Sequence, residues 1–183
     1  EIEGPSNFKG FEYNVPGDIS SSAFFLVLTL LSSNSKITLK NININDSRIG
    51  IIKILNKMNA KITFINKRNY KGEIVADIIV KSRKKLKSIN CPVGLNSSAI
   101  DEFLIIFLVA AKAKGISTFR NLSELNKKES PRLELASKIL NQIGIKFTRD
   151  GDNIKIHGNP DIKLNGKYII KNFMKDHRVF MMS

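Results

Sequence analysis

Two runs of the chain are apolar on nearly every side, Ala23–Leu31 and Phe103–Leu108, and both follow small polar residues. Such runs read as buried helices. The first spans Ser21–Ser32, after the break Pro16-Gly17-Asp18, with Asp18 or Ser20 as cap. The second spans about Ile100–Lys114, after Pro92-Val93-Gly94, with Ser97 or Ser98 as cap and Gly115 as a C-terminal stop. Two further helices are one-sided. Ile51, Ile52, Leu55 and Met58 share a face after Asp46 or Ser47, and Pro131–Ile143 repeats that pattern. Strand-like stretches fall at Phe8–Val15, Lys36–Leu39, Lys61–Asn66, Ile74–Val80, Leu86–Cys91, Ile116–Arg120, Ile145–Thr148 and Asn153–His157. The turn-rich Lys67–Gly72 joins one pair, and Asp150-Gly151-Asp152 is a hairpin turn for another.

The order of elements is βαβαββ, seen twice. A third copy begins with a strand at Tyr168–Lys171 and a helix opening at Asp176. The fold class expected is therefore α/β (α+β) built from repeated units, spanning about 8–81, 86–158 and an incomplete 167–183 in one domain. Lys53-Ile54-Leu55-Asn56 recurs as Lys138-Ile139-Leu140-Asn141, 85 residues later. The first helices of the two units align at a spacing of only about 80. The difference falls in Asn121–Glu129, so this connector is longer than its sister and carries charge, which favours function over filler. The end of the chain, Phe180-Met181-Met182-Ser183, is apolar and uncapped, and the whole reads as a piece of a longer protein.

Composition narrows the classes. Of 183 residues, 42% are hydrophobic and 25% charged, which supports a packed core. Thirty Lys and Arg against sixteen Asp and Glu give a net charge of +14, an attraction to anions of unspecified kind. Many lysines sit beside Asn and Ile, a pattern that AT-rich coding also produces, so the charge is weak evidence for nucleic acid. The chain has no Trp and three Tyr, and most Phe lie in core-like runs, so platforms for single-stranded bases are missing. A basic α/β module binding nucleic acid without enzymatic activity remains the alternative reading, and nucleic acid is not the expected partner. The lone Cys91 permits no internal disulfide and makes a reducing compartment, the cytoplasm, the expected home. It reads as a small buried residue rather than a nucleophile. His157 and His177 form no familiar zinc spacing with it, so no metal site is expected. Ala23–Leu31 is too short to span a membrane.

Three polar clusters occupy helix starts. Asp101-Glu102 precedes an apolar helix. Asp101 is an ordinary dipole partner, or a carboxylate tuned by buried surroundings for general base work. Lys128-Glu129-Ser130-Pro131-Arg132 and Asp176-His177-Arg178 each put a guanidinium where the helix dipole disfavours it. An anion between them makes that placement sensible. Equivalent helix ends in a repeat fold can converge on one face, so Asp101, Lys128, Glu129, Arg132 and Arg178 are candidates for one anion-binding, acid/base site. His177 is as well explained structurally.

Pro16-Gly17-Asp18-Ile19-Ser20-Ser21-Ser22-Ala23-Phe24, Ile100-Asp101-Glu102, Lys128-Glu129-Ser130-Pro131-Arg132 and Asp176-His177-Arg178 resemble, in order and spacing, the motifs of the 5-enolpyruvylshikimate-3-phosphate synthase family. The related sugar-nucleotide enolpyruvyl transferases match less well. The resemblance implies an enolpyruvyl transferase fold, with βαβαββ units about a pseudo-threefold axis. It implies transfer of the enolpyruvyl group of phosphoenolpyruvate to the 5-hydroxyl of shikimate 3-phosphate, through a tetrahedral intermediate, without metal or cofactor. By the same resemblance Asp101 and Glu129 are the catalytic carboxylates, and Asp101 and Lys128 contact shikimate 3-phosphate. Arg132 and Arg178 grip phosphoenolpyruvate, while Asp18 and Ser20 to Ser22 cap and pack a helix. The chain departs from the family at Asn126 and Lys127, where Arg-Val is usual, and at Pro131, where Asp is usual. Most of a second domain, the partner half of the site, is absent, so the chain alone is expected to lack activity.

Overall fold

The computed structural model describes residue 4, residues 9–163 and residues 176–180. Asp18 starts the first helix, α1 (Ile19–Leu31): its Oδ2 accepts from Ser21 N at 2.8 Å. Then come β1 (Lys36–Asn43), α2 (Gly50–Lys57), β2 (Ile62–Tyr70) and β3 (Glu73–Lys81). The second unit follows as α3 (Phe103–Lys112), β4 (Gly115–Phe119), α4 (Arg132–Gln142), β5 (Phe147–Asp150) and β6 (Asn153–Gly158). A short α5 (His177–Phe180) ends the described chain. The expected strand at Tyr168–Lys171 lies outside the described residues.

Each unit forms one antiparallel sheet, in the order β1-β3-β2 and β4-β6-β5. The αβαββ part of the repeat read from the sequence is thus present twice. Ile, Leu and Val from the inner sheet faces meet α1 and α3 in a common core, where Phe103, Phe107 and Phe119 stack edge to face or tilted within 6.0 Å. α1 is less buried than its sequence suggests. It packs on α3 and β1, but Phe25 and Leu28 on another side are exposed among the described residues.

The lead strand of each unit is weaker than expected. Residues 9–15 form no strand, and pairing begins only at Gly17, which bridges Ile42 in parallel. The segment is tethered through side chains instead: the Tyr13 and Tyr70 rings lie 5.4 Å apart and Asn14 N donates to Tyr70 Oη. Leu86–Cys91 runs parallel to the chain leading into β4 but forms only isolated bridges, from Lys87 to Lys114 just before the strand and from Asn90 to Thr118 within it. Between those points Ile89 N donates to Ser117 Oγ, a side chain, and the ladder is interrupted.

Other boundaries also moved. β2 and β3 extend through the expected turn and leave a two-residue hairpin, Lys71-Gly72, with φ of 50° and 91°. Positive φ at both positions matches the twist of a hairpin, so the strands continue to the turn. No side chain caps α2, which starts after Ile49, so neither Asp46 nor Ser47 does the expected work. Gly115 does not end α3 but opens β4 at φ 105°, where a Cβ would strike the Ser88 side chain. Two bulges lie side by side, between Leu39 and Ile42 and between Ile65 and Arg68. Asp77 pins both, accepting from Asn41 N and Asn66 Nδ2, each at 2.8 Å.

Gly158 ends β6 against the last turn of α3, where a Cβ would run into the carbonyl oxygens of Ala110 and Ala113. Gly158→Ala is expected to cost about 1–3 kcal/mol through forced backbone movement. Gly94→Ala, facing open space, should stay within about 0.5 kcal/mol. Urea unfolding of the two variants checks the contrast.

Candidate active site

The site forms where three chain segments meet at the start of α4. α3 begins later than the sequence suggested. Residues 93–95 and 97–99 are single 3₁₀ turns, and the helix opens only at Phe103. Asp101 therefore lies in the turn before α3, not in its first turn, and Glu102 stands at the N-cap position without a capping bond. The connector before α4 holds twelve residues (120–131), against six (44–49) before α2. The extra length forms a 3₁₀ helix, Ser123–Lys127, fixed by buried Leu122 and Leu125. Two departures from the family pattern have structural uses here. Asn126 Oδ1 accepts from Leu133 N and caps α4, and Lys127 pairs with Glu124 at 2.9 Å.

Arg132 is at the centre and is 1% exposed. Its Nε donates to Asp176 Oδ2 at 2.8 Å, its Nη1 to Asp101 Oδ1 at 3.0 Å and its Nη2 to Glu129 Oε2 at 2.5 Å. Ser130 Oγ donates to the same Asp176 oxygen at 2.7 Å. Asp176 Oδ1 accepts from Arg178 N at 3.0 Å and so fixes the start of α5. The anion that offsets the helix dipole at Arg132 is thus supplied by three carboxylates of the chain itself.

The remaining cations gather on Asp101. Lys128 Nζ lies 3.5 Å from its Oδ1, and Arg178 Nη2 lies 3.8 Å from its Oδ2. All five residues singled out in the sequence, Asp101, Lys128, Glu129, Arg132 and Arg178, therefore meet in one cluster. His177 is exposed. The sequence did not single out Asp176 as the buried partner of Arg132. Nor did it mark Glu102, which is 3% exposed and has Arg178 Nη1 3.9 Å from its Oε1. An acid next to a strongly apolar helix was the one available signal for Glu102.

The carboxylates divide in their electrostatics. Burial works against the charged form of Asp101, but Arg178, the Arg132 hydrogen bond and Lys128 outweigh it and hold the pKa below the ordinary value of 3.8. Burial likewise opposes Asp176, and the Arg132 and Ser130 bonds overcome it. Glu102 goes the other way: desolvation dominates and raises its pKa above 4.5. The carboxylate tuned upward by buried surroundings is thus Glu102, not Asp101. Burial also pushes the Cys91 thiol up to about 11, which suits a core residue rather than a nucleophile. Among the described residues no group of three or more His, Cys, Asp or Glu could hold a metal ion, and no helix is long and apolar enough to cross a membrane.

Counting Asp101, Glu102, Glu129 and Asp176 against Lys128, Arg132 and Arg178 gives four carboxylates and three cations. The cluster is close to neutral although the chain as a whole carries +14.

Comparison with known proteins gives a consistent result. The family described as EPSP synthase (3-phosphoshikimate 1-carboxyvinyltransferase) matches residues 1–183. The chain is 40% identical over 172 residues to the 3-phosphoshikimate 1-carboxyvinyltransferase of Legionella pneumophila (strain Lens), covering 94% of the chain and 38% of that protein. It is 38% identical over 181 residues to that of Geobacillus kaustophilus (strain HTA426), covering 99% of the chain and 42% of the relative. The chain thus spans about two-fifths of the length of these curated relatives. In structure it is similar to EPSP synthase from Acinetobacter baumannii, with a TM-score of 0.75 and 41% identity, over 79% of this chain and 32% of that one. The enolpyruvyl transferase NikO from Streptomyces tendae shares the fold at a TM-score of 0.57 and 13% identity, over 76% of this chain and 29% of that one.

Two outcomes follow from the charge arrangement. Arg132→Met leaves Asp176 buried without its cation and is expected to cost about 3–5 kcal/mol in urea unfolding, whereas adding Asp176→Leu should recover much of the loss. The pH dependence has two parts. Asp101 and Asp176 are depressed, so their contribution is present above the ordinary value of 3.8 and lost as pH falls through their lower folded values. Glu102 is raised, so its contribution is present below 4.5 and lost as pH rises through its folded value. The melting temperature of the chain is therefore expected to peak in mild acid and fall on either side.

Proposed function

The chain belongs to the EPSP synthase (3-phosphoshikimate 1-carboxyvinyltransferase) family, and from that membership we propose that it supplies one half of an active site moving the enolpyruvyl group of phosphoenolpyruvate to the 5-hydroxyl of shikimate 3-phosphate. The observation that carries this reading is the convergence of Asp101, Lys128, Glu129, Arg132 and Arg178 around one buried guanidinium. We further propose that its units, about 8–81, 86–158 and 167 onward, belong to one domain, that the remainder of the same protein forms the partner half, and that the enzyme works in the cytoplasm.

Asp101 is assigned the 5-hydroxyl proton and Glu129 the proton at the enolpyruvyl methylene carbon. Lys128 takes the shikimate phosphate, and Arg132 and Arg178 take phosphoenolpyruvate. In the addition step the hydroxyl oxygen bonds to the central enolpyruvyl carbon, as its proton leaves and the methylene becomes a methyl. Elimination then returns one methyl proton and expels phosphate. No metal or cofactor enters this scheme.

The electrostatics fit such an order of events. Without ligands, Arg178, Arg132 and Lys128 keep Asp101 ionised and weakly basic. Polyanions bound to Arg178 and Lys128 offset those cations and raise the basicity of Asp101, so it gains strength as a base only with both substrates in place. Each guanidinium nitrogen of Arg132 already donates to a carboxylate in the ligand-free state, and its most exposed partner is Glu129, whose side chain is 68% exposed. Withdrawal of Glu129 towards the enolpyruvyl carbon frees Nη2 for the donor. A near-neutral cluster cannot hold two polyanions unaided, so further cations must come from the partner half.

The test is phosphate release from phosphoenolpyruvate and shikimate 3-phosphate by the protein of the full reading frame. Turnover is expected there, none from the 183-residue chain alone, and Asp101→Asn in the full protein should slow it on the order of 100-fold or more. Silence of the full protein overturns the function, and turnover by the 183-residue chain overturns the half-site.

A further inference from the structure

Glu102 has no part in the scheme above, yet its placement is the costliest in the cluster. Its side chain is 3% exposed, at the mouth of a helix that continues Phe103-Leu104-Ile105-Ile106. Its Oε1 is, among the described residues, the only buried side-chain oxygen or nitrogen without a hydrogen-bond partner. A bare carboxylate oxygen in such surroundings needs a charge to offset it.

Among the described residues, the groups acting most on the Glu102 carboxylate are Ser20, Arg178, Asp101 and Arg48. Ser20 on α1 lies beside the carboxylate and favours its charged form, and its hydroxyl accepts from Arg48 Nη2 at 3.1 Å. Arg48, from the loop before α2, is half-exposed and also pairs with Asp18 at 3.3 Å. Asp101 is the adjacent like charge. Arg178 on α5 is the remaining cation, with Nη1 3.9 Å from Oε1. Arg178 itself is loosely held: Asp101 Oδ2 is 3.8 Å from Nη2, and the Asp101 carbonyl accepts from Nη1 at 3.4 Å. Asp101 is shared with Arg132 and Lys128, whereas Oε1 of Glu102 faces Arg178 alone among the cations paired here.

We propose that Glu102 is a positioning residue for Arg178, fixing the guanidinium in the orientation that meets phosphoenolpyruvate and keeping it there while Asp101 gains and loses a proton. This rests on the assignment of Arg178 to phosphoenolpyruvate made above. It adds a division of labour between adjacent carboxylates: Asp101 takes part in the chemistry, and Glu102 supplies a charge that stays constant through it. Because desolvation raises the Glu102 pKa, this hold weakens in mild acid while Asp101 is still ionised.

The experiment uses the full-length protein and phosphate release, with Glu102→Gln compared to wild type from neutral pH into mild acid. At neutral pH the variant is expected to raise KM for phosphoenolpyruvate about tenfold, the scale of one charge-assisted contact. KM for shikimate 3-phosphate and kcat should stay within about threefold. As pH falls, KM for phosphoenolpyruvate should climb in wild type more than in Glu102→Gln. The ratio of the two cancels the titration of the ligand. Glu102→Asp, which keeps the charge but draws it back by one methylene, should fall between them, and it carries the comparison if Glu102→Gln does not fold. Wild-type turnover with KM for phosphoenolpyruvate and its pH profile unchanged in the variants overturns the positioning role. Absence of wild-type turnover overturns the functional reading on which it rests.

Discussion

The contact on which the site depends is the buried guanidinium of Arg132, with three carboxylates around its edge. Asp101 comes from the turn before α3, Glu129 from the lengthened connector, and Asp176 from the start of α5. Each nitrogen of the planar head donates to a different segment, so one side chain sets three pieces of backbone relative to each other. A lysine in its place would offer a point charge and lose that geometry. The cost of burying Arg132 is offset by several charge-assisted hydrogen bonds at once, and removing one member leaves an uncompensated charge behind.

That arrangement relates the repeat to function. The two units have the same plan, but only the second has twelve residues where the first has six between its middle strand and second helix. The extra turn is anchored by Leu122 and Leu125 and capped onto α4 by Asn126. Lys128 and Glu129 therefore follow directly on a packed 3₁₀ turn. Symmetry of the scaffold provides equivalent helix ends, and breaking that symmetry at one of them makes a site.

Much of this was legible in the sequence because it is local. The apolar runs at Ala23–Leu31 and Phe103–Leu108, the recurring Lys-Ile-Leu-Asn and the extra connector length are all properties of neighbouring residues. The convergence of five charged residues followed from repeat logic plus the dipole argument at Arg132 and Arg178. What escaped was non-local. Asp176 reaches Arg132 across 44 positions, and nothing in the local pattern separates it from an ordinary helix cap. Glu102 looks like Asp101 in sequence, and burial pushes both pKa values up, yet only Asp101 has enough cations around it to reverse the shift. The weak lead strands were over-read for a related reason: alternation at Phe8–Val15 says nothing about whether a neighbouring edge is available to pair.

The twin bulges pinned by Asp77 bear on how this sheet meets other copies of the chain. β2 is the outer strand of its sheet, and an outer strand is a template onto which another chain can add. Here the ladder is broken between Ile65 and Arg68, and the residues at the break, Asn66, Lys67 and Arg68, are all exposed. A second copy approaching that edge meets an interrupted row of hydrogen-bonding groups and a like charge. The bulged, basic edge thus works against chain-to-chain polymerisation, and part of the large positive charge of this protein has its use in keeping copies apart rather than in attracting a ligand.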